Sequence, residues 1–145
     1  MRILVDTNVF LDHFLGRGND GCIATKFFAW CYLNKNQIYI ASSSFRDIEY
    51  IAMKSFHNHQ EARKVSLAAY SLCSKVIGIS ADAAIESLFS DNKDYEDECL
   101  IQAAQEQLLD AIVTNNVKDF SESGIPCFKP EDLMNNPNLK HVKLD

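Results

Sequence analysis

The sequence has no apolar run near the roughly 20 residues that a membrane span requires. Ile3 to Val5 and Ala111 to Val113 are typical of its runs, so a membrane-spanning protein is excluded at this level. No secretory leader is expected: Met1-Arg2 leads straight into Ile3-Leu4-Val5-Asp6, where an export signal needs about 7 to 15 apolar residues without an acid. The expected location is therefore the cytoplasm. Five cysteines (Cys22, Cys31, Cys73, Cys99 and Cys127) are odd in number and form no CxxC pair, which fits reduced core thiols better than a disulfide frame or a zinc site. Bases are outnumbered, 14 Lys and Arg against 20 Asp and Glu, for a net charge of -6. That excludes a protein that coats duplex DNA or an anionic membrane. It leaves room for a metal-dependent nuclease, whose cleft must concentrate carboxylates. With only five glycines and three prolines, no flexible linker divides the chain.

What is present is enough for one domain. A chain of 145 residues, 47% of them apolar, buries about 68% of its unfolded surface on folding and needs no staple. Short Ile- and Val-rich runs at Arg2 to Val5, Gln37 to Ala41, Lys75 to Ile79 and Asp110 to Val113 predict strands. Between them, 3.6-residue periodicity predicts helices over Thr7 to Leu15, Cys22 to Leu33, Ser44 to Phe56, Gln60 to Cys73, Ala81 to Phe89 and Tyr95 to Leu109, with Gly16 to Gly21 as a surface loop. Alternating strands and helices imply an α/β domain with a mainly parallel sheet covered on both faces. Ligands of such sheets bind beyond the carboxyl ends of the strands.

Four carboxylates stand out by position. Asp6 follows the first strand directly and opens the next helix, where capping alone could also explain it. Glu49 falls, by helical angle, among Phe45, Ile48, Ala52 and Met53, whereas Asp47 points to the other side, three residues after the capping-type Ser44. A bare carboxylate on an apolar face costs several kcal/mol unless it is paired, protonated or bound to a cation. Asp97 lies on the stripe formed by Leu100, Ile101, Ala104 and Leu108, with Asp94 as the expected N-cap. Asp119 follows the strand at Ala111 to Val113 in a polar segment that includes Asn115 and Asn116, which could equally be turn residues. Clustered acids require protons or cations, and oxygen-only ligands favour Mg²⁺ or Mn²⁺ and phosphodiester hydrolysis. Asp12 reads as a solvent-facing acid. His57 and His59 lack a third metal ligand.

The set Ile3-Leu-Val-Asp-Thr-Asn-Val9, Glu49 on a helix after a strand, Asp94-Tyr-Glu-Asp97 and Ile112-Val-Thr-Asn-Asn-Val-Lys-Asp-Phe120 resembles the PIN-domain ribonucleases. The likeness is greatest to the toxins of VapBC-type toxin-antitoxin pairs. The resemblance implies a three-layer α/β/α fold over residues 1–134 with a tail at 135–145, and an Mg²⁺- or Mn²⁺-dependent endoribonuclease. It implies Asp6, Glu49, Asp97 and Asp119 as catalytic metal ligands, with Asn8, Thr114 and Asn116 orienting them. The last acidic position of the family falls at Asn116 or Asp119, and here it is the second that is acidic. Asn115 stands where relatives often carry a base. The implied partners are an RNA substrate, a second copy of the chain and an antitoxin. That antitoxin would insert a basic residue into the cleft and dock apolar side chains on the helices Ser44 to Phe56 and Gln60 to Cys73. Two alternatives are a metal-dependent phosphatase and an inactive PIN module that binds RNA or protein.

Overall fold

The computed structural model describes residues 1–139. Its strands are β1 (Arg2–Val5), β2 (Gln37–Ala41), β3 (Lys75–Ile77), β4 (Ala111–Val113) and β5 (Cys127–Phe128), and its helices are α1 (Thr7–Leu15), α2 (Gly18–Leu33), α3 (Ser42–Phe56), α4 (His59–Leu72), α5 (Ala81–Leu88), α6 (Tyr95–Glu106) and α7 (Pro130–Met134). All neighbouring strands are parallel, in the order β3-β2-β1-β4-β5. Pairing Leu4 with both Tyr39 and Ile112 sets β1 at the centre.

Alternation along the strands feeds two cores. Ile3, Val5, Ile38, Ile40 and Val113 face one side, where Val9, Phe10, Phe27, Trp30, Ile48 and Ala52 pack against them. Leu4, Tyr39, Ala41 and Ile112 face the other, against Leu100, Ile101, Ala104 and Phe120. The expected three-layer α/β/α architecture is therefore present. The chain steps from β1 outward to β2 and β3, then returns across β1 to β4. This reversal opens a crevice beyond the carboxyl ends of β1 and β4.

The elements differ from the expected ones mainly at their ends. The segment Gly16 to Gly21 is no loose loop: α2 begins at Gly18, and Gly16 closes α1 with a left-handed φ of 60°. Helix α3 starts at Ser42, directly after β2, with no side-chain cap, so Ser44 is not its cap and Asp47 is not in its first turn. The two-residue β5, the five-residue α7 and a 3₁₀ turn at Val117–Phe120 carry too little periodicity to be read from sequence. Of the expected tail at 135–145, residues 140–145 lie outside the described residues, and Leu139 packs against the first core. Among the described residues no helix is long and apolar enough to cross a membrane. Cys31 and Cys99 are buried as core thiols, but Cys22 is exposed.

Candidate active site

Asp6 ends β1 and caps α1, and it does so from a buried position, 8% exposed. Its Oδ1 accepts the Thr7 backbone N–H at 2.7 Å. Its Oδ2 accepts the Thr114 hydroxyl at 2.8 Å and the Asn8 amide at 3.1 Å. Thr114, fully buried at the end of β4, also accepts the Asn116 backbone N–H at 3.0 Å. Adjacent strand ends thus lock one carboxylate in place. Burial pushes the Asp6 carboxyl above its ordinary pKa, the Thr114 and Thr7 hydrogen bonds pull it back, and the charges of Asp94 and Asp47 push it up again.

Asp97 enters from α6. Asp94 caps that helix by accepting the Asp97 backbone N–H at 3.0 Å, which fixes the first turn with the Asp97 carboxylate half-buried. Its pKa is raised to about 7, first by burial and then by the charges of Asp94, Asp6, Asp119 and Glu96. Asp119 sits on the 3₁₀ turn after β4. Asp6, Asp97 and Asp119 line a single cleft of about 670 Å³ with Asp47, Asp94 and Glu96, and Asn8 and Asn116 lie beside them. Two arginines, Arg17 and Arg46, also border it. Arg46 is shared between Asp47 at 3.7 Å and Glu96 at 3.2 Å.

Glu49 is elsewhere. It forms an ion pair with Arg63 of α4 and lines a separate shallow groove with Phe45, Leu67, Tyr70 and Val76. On α3 it is Ser43, Ser44, Asp47 and Ile51 that face the acidic cleft, so the structure does not bring Glu49 together with Asp6, Asp97 and Asp119. The physical reason is that the apolar arc of α3 packs on α4 as well as on the sheet, so an acid within that arc meets Arg63 rather than the cleft. The signal that could have found Asp47 is depth, since it lies nearer than Glu49 to the start of a helix that begins at the sheet's carboxyl edge. Asp12 is a second correction. It is only 6% exposed, not solvent-facing, and contacts Asn115 and Arg17.

Among the described residues no three His, Cys, Asp or Glu side chains close into a ready metal cage. The acids surround the cleft instead of meeting at a point. The donor chemistry nevertheless fits a hard divalent cation: every candidate ligand is a carboxylate oxygen, and burial first, with neighbouring carboxylates adding to it, raises the proton affinities of Asp6 and Asp97.

A family model described as a PIN domain matches residues 2–118. Among solved structures, a toxin-antitoxin complex from Klebsiella pneumoniae is 26% identical, with a TM-score of 0.61, over 88% of this chain and 97% of that one. DNA-bound VapBC from Salmonella typhimurium is 19% identical at a TM-score of 0.67, covering 90% of this chain and 98% of that one. Mycobacterium tuberculosis VapC20, described as a toxin that cleaves the sarcin-ricin loop, is 14% identical at a TM-score of 0.65, over 85% and 95%. No curated protein matches in sequence.

Proposed function

The chain belongs to the PIN-domain family, and from that premise we propose that it is an Mg²⁺- or Mn²⁺-dependent endoribonuclease acting as the toxin of a toxin-antitoxin pair. The observation that carries this reading is the set of carboxylates gathered around one cleft at the sheet's switch point, with Asp97 holding its proton up to about pH 7. Asp6, Asp97 and Asp119 would hold the cation, joined by Asp47 in the place first given to Glu49. Such an ion, when bound, supplies Lewis acidity toward a phosphoryl oxygen and a bound water of lowered pKa.

The chain's own groups do the rest. Thr114 and Asn8 hold the Asp6 carboxylate in one orientation through two hydrogen bonds. Asp94 fixes the backbone at Asp97, whose carboxyl must release its proton before it can serve as an anionic ligand. Asn116, held through its backbone by Thr114, borders the cleft where substrate would enter.

In this reading RNA is the substrate and the cytoplasm the place of action. An antitoxin would restrain the enzyme, with a basic residue pairing the cleft acids and apolar side chains docking on α3 and α4, where Tyr50, Leu67 and Tyr70 are exposed. The toxin itself is proposed to be a homodimer. Induced expression in bacteria tests the biological part: the wild-type chain should arrest growth, Asp6→Asn should not, and a small tight-binding protein should co-purify from the native host. Harmless expression of a strictly monomeric protein without such a partner would defeat the toxin reading and leave the nuclease reading standing.

A further inference from the structure

Resting on the nuclease reading above, we propose that Arg17 anchors a phosphate of the RNA backbone at the rim of the acidic cleft, and that buried Asp12 is the positioning residue that aims it. A polyanion entering a cleft lined by six carboxylates needs a local cation. Arg46 is already engaged by Asp47 and Glu96. Arg17 is different. Among the described residues its guanidinium has a single ionic partner, Asp12 Oδ1 at 3.6 Å. That distance holds the group in place without consuming its fork of N–H donors.

The backbone at Arg17 is pinned. It lies between Gly16 and Gly18, both left-handed at φ 60° and 55°, and its N–H donates to the Asp12 carbonyl at 3.1 Å. Its own carbonyl accepts from the Gly21 N–H at 3.1 Å. A Cβ at Gly21 would stand 2.7 Å from the Asp12 carbonyl oxygen, so only glycine lets α2 start this close to α1.

Asp12 does not line the cleft, yet its carboxyl group is almost fully buried. It accepts the Asn115 side-chain amide at 2.5 Å. The Asn115 backbone N–H donates to Asn8 Oδ1 at 3.3 Å, and the Asn8 amide donates to Asp6 Oδ2 at 3.1 Å. A continuous chain of polar contacts therefore runs from Arg17 through Asp12, Asn115 and Asn8 to Asp6. It sets the distance between the phosphate anchor and the proposed metal-binding carboxylate.

Steady-state cleavage of labelled single-stranded RNA by the full chain with Mn²⁺, measured from 50 to 200 mM salt, tests the assignment. Arg17→Ala should raise KM about tenfold with kcat little changed, as expected for a charge-assisted contact made in both ground and transition states. It should also reduce the slope of log(1/KM) against log[salt] by about 0.7, the value for one phosphate contact on a single strand. Arg17→Lys should recover the slope. Asp12→Asn, whose fold is checked by thermal melting, should raise KM on its own but add nothing to Arg17→Ala. Lys64→Ala, which removes a charge on α4 away from the cleft, should change neither quantity. Wild-type KM and slope in Arg17→Ala, with the wild-type enzyme active, would overturn this inference alone, and additive effects of the two substitutions would overturn the role of Asp12. A wild-type chain that does not cleave RNA would overturn the nuclease reading and this inference with it.

Discussion

Burial raises the proton affinity of a carboxyl and facing carboxylates raise it further; Asp97 shows both, pushed from an ordinary 3.8 to about 7 first by burial and then by the charges of Asp94, Asp6, Asp119 and Glu96. The folded chain without metal keeps a proton that the unfolded chain releases above about pH 4, so this group's contribution to stability is present at low pH and is lost as pH rises through 7. In EDTA, the melting temperature of wild type relative to Asp97→Asn should therefore fall between pH 5 and pH 8, and a pH-independent difference would contradict the assignment. Divalent cation should reverse the loss at pH 8. Two other acids test the geometry of α3. Asp47→Asn, as a loss of one proposed ligand, should lower cleavage by at least the roughly 10- to 100-fold that losing a group behind a metal ligand costs. Glu49→Gln should leave cleavage near wild type and cost about 0.2–1 kcal/mol for its half-exposed ion pair with Arg63. Equal losses in both would show that the cleft is wrongly drawn. The positions of Asp6 and Asp97 were legible because a strand end and a helical stripe each constrain a side chain locally. Glu49 and Asp47 were not, because what separates them is which neighbour α3 packs against, and Arg63 lies on another helix.

Local patterning recovers α1, α5 and most of α3, α4 and α6, but α2 begins four residues before the expected Cys22, since Gly18 and Gly21 look like loop residues until the close approach to Asp12 is seen. That approach makes a prediction of its own: Gly21→Ala should destabilise the protein by about 1–3 kcal/mol, the cost of forcing atoms into a filled space, read from a denaturant midpoint. The connection from α6 to β4 offers the opposite sign. Leu108 is 75% exposed and held at a φ of 51°, a conformation that costs a side-chain-bearing residue about 1–2 kcal/mol. Leu108→Gly should therefore raise the melting temperature by a few degrees. A decrease would mean that the leucine makes contacts that outweigh the strain. The short β5 and α7 were invisible to periodicity because two and five residues cannot establish a repeat.

The all-parallel sheet explains why acids so far apart in sequence share one cleft. Strand order places β1 and β4 side by side at the point where the chain reverses direction across the sheet, and the loops beyond their carboxyl ends deliver Asp6 and Asp119, while α3 and α6 bring Asp47 and Asp97 over the same crevice. The net charge of -6 follows in part from this concentration of carboxylates, and on the proposed function it leaves RNA binding to a few placed bases such as Arg17. The most direct test is cleavage of a labelled single-stranded RNA by wild type and by Asp97→Asn, purified identically, with Mn²⁺ and with EDTA. Cleavage by wild type with Mn²⁺, and by neither the variant nor the EDTA-treated protein, is the predicted result; cleavage that survives EDTA, or that Asp97→Asn performs as well as wild type, would contradict the account.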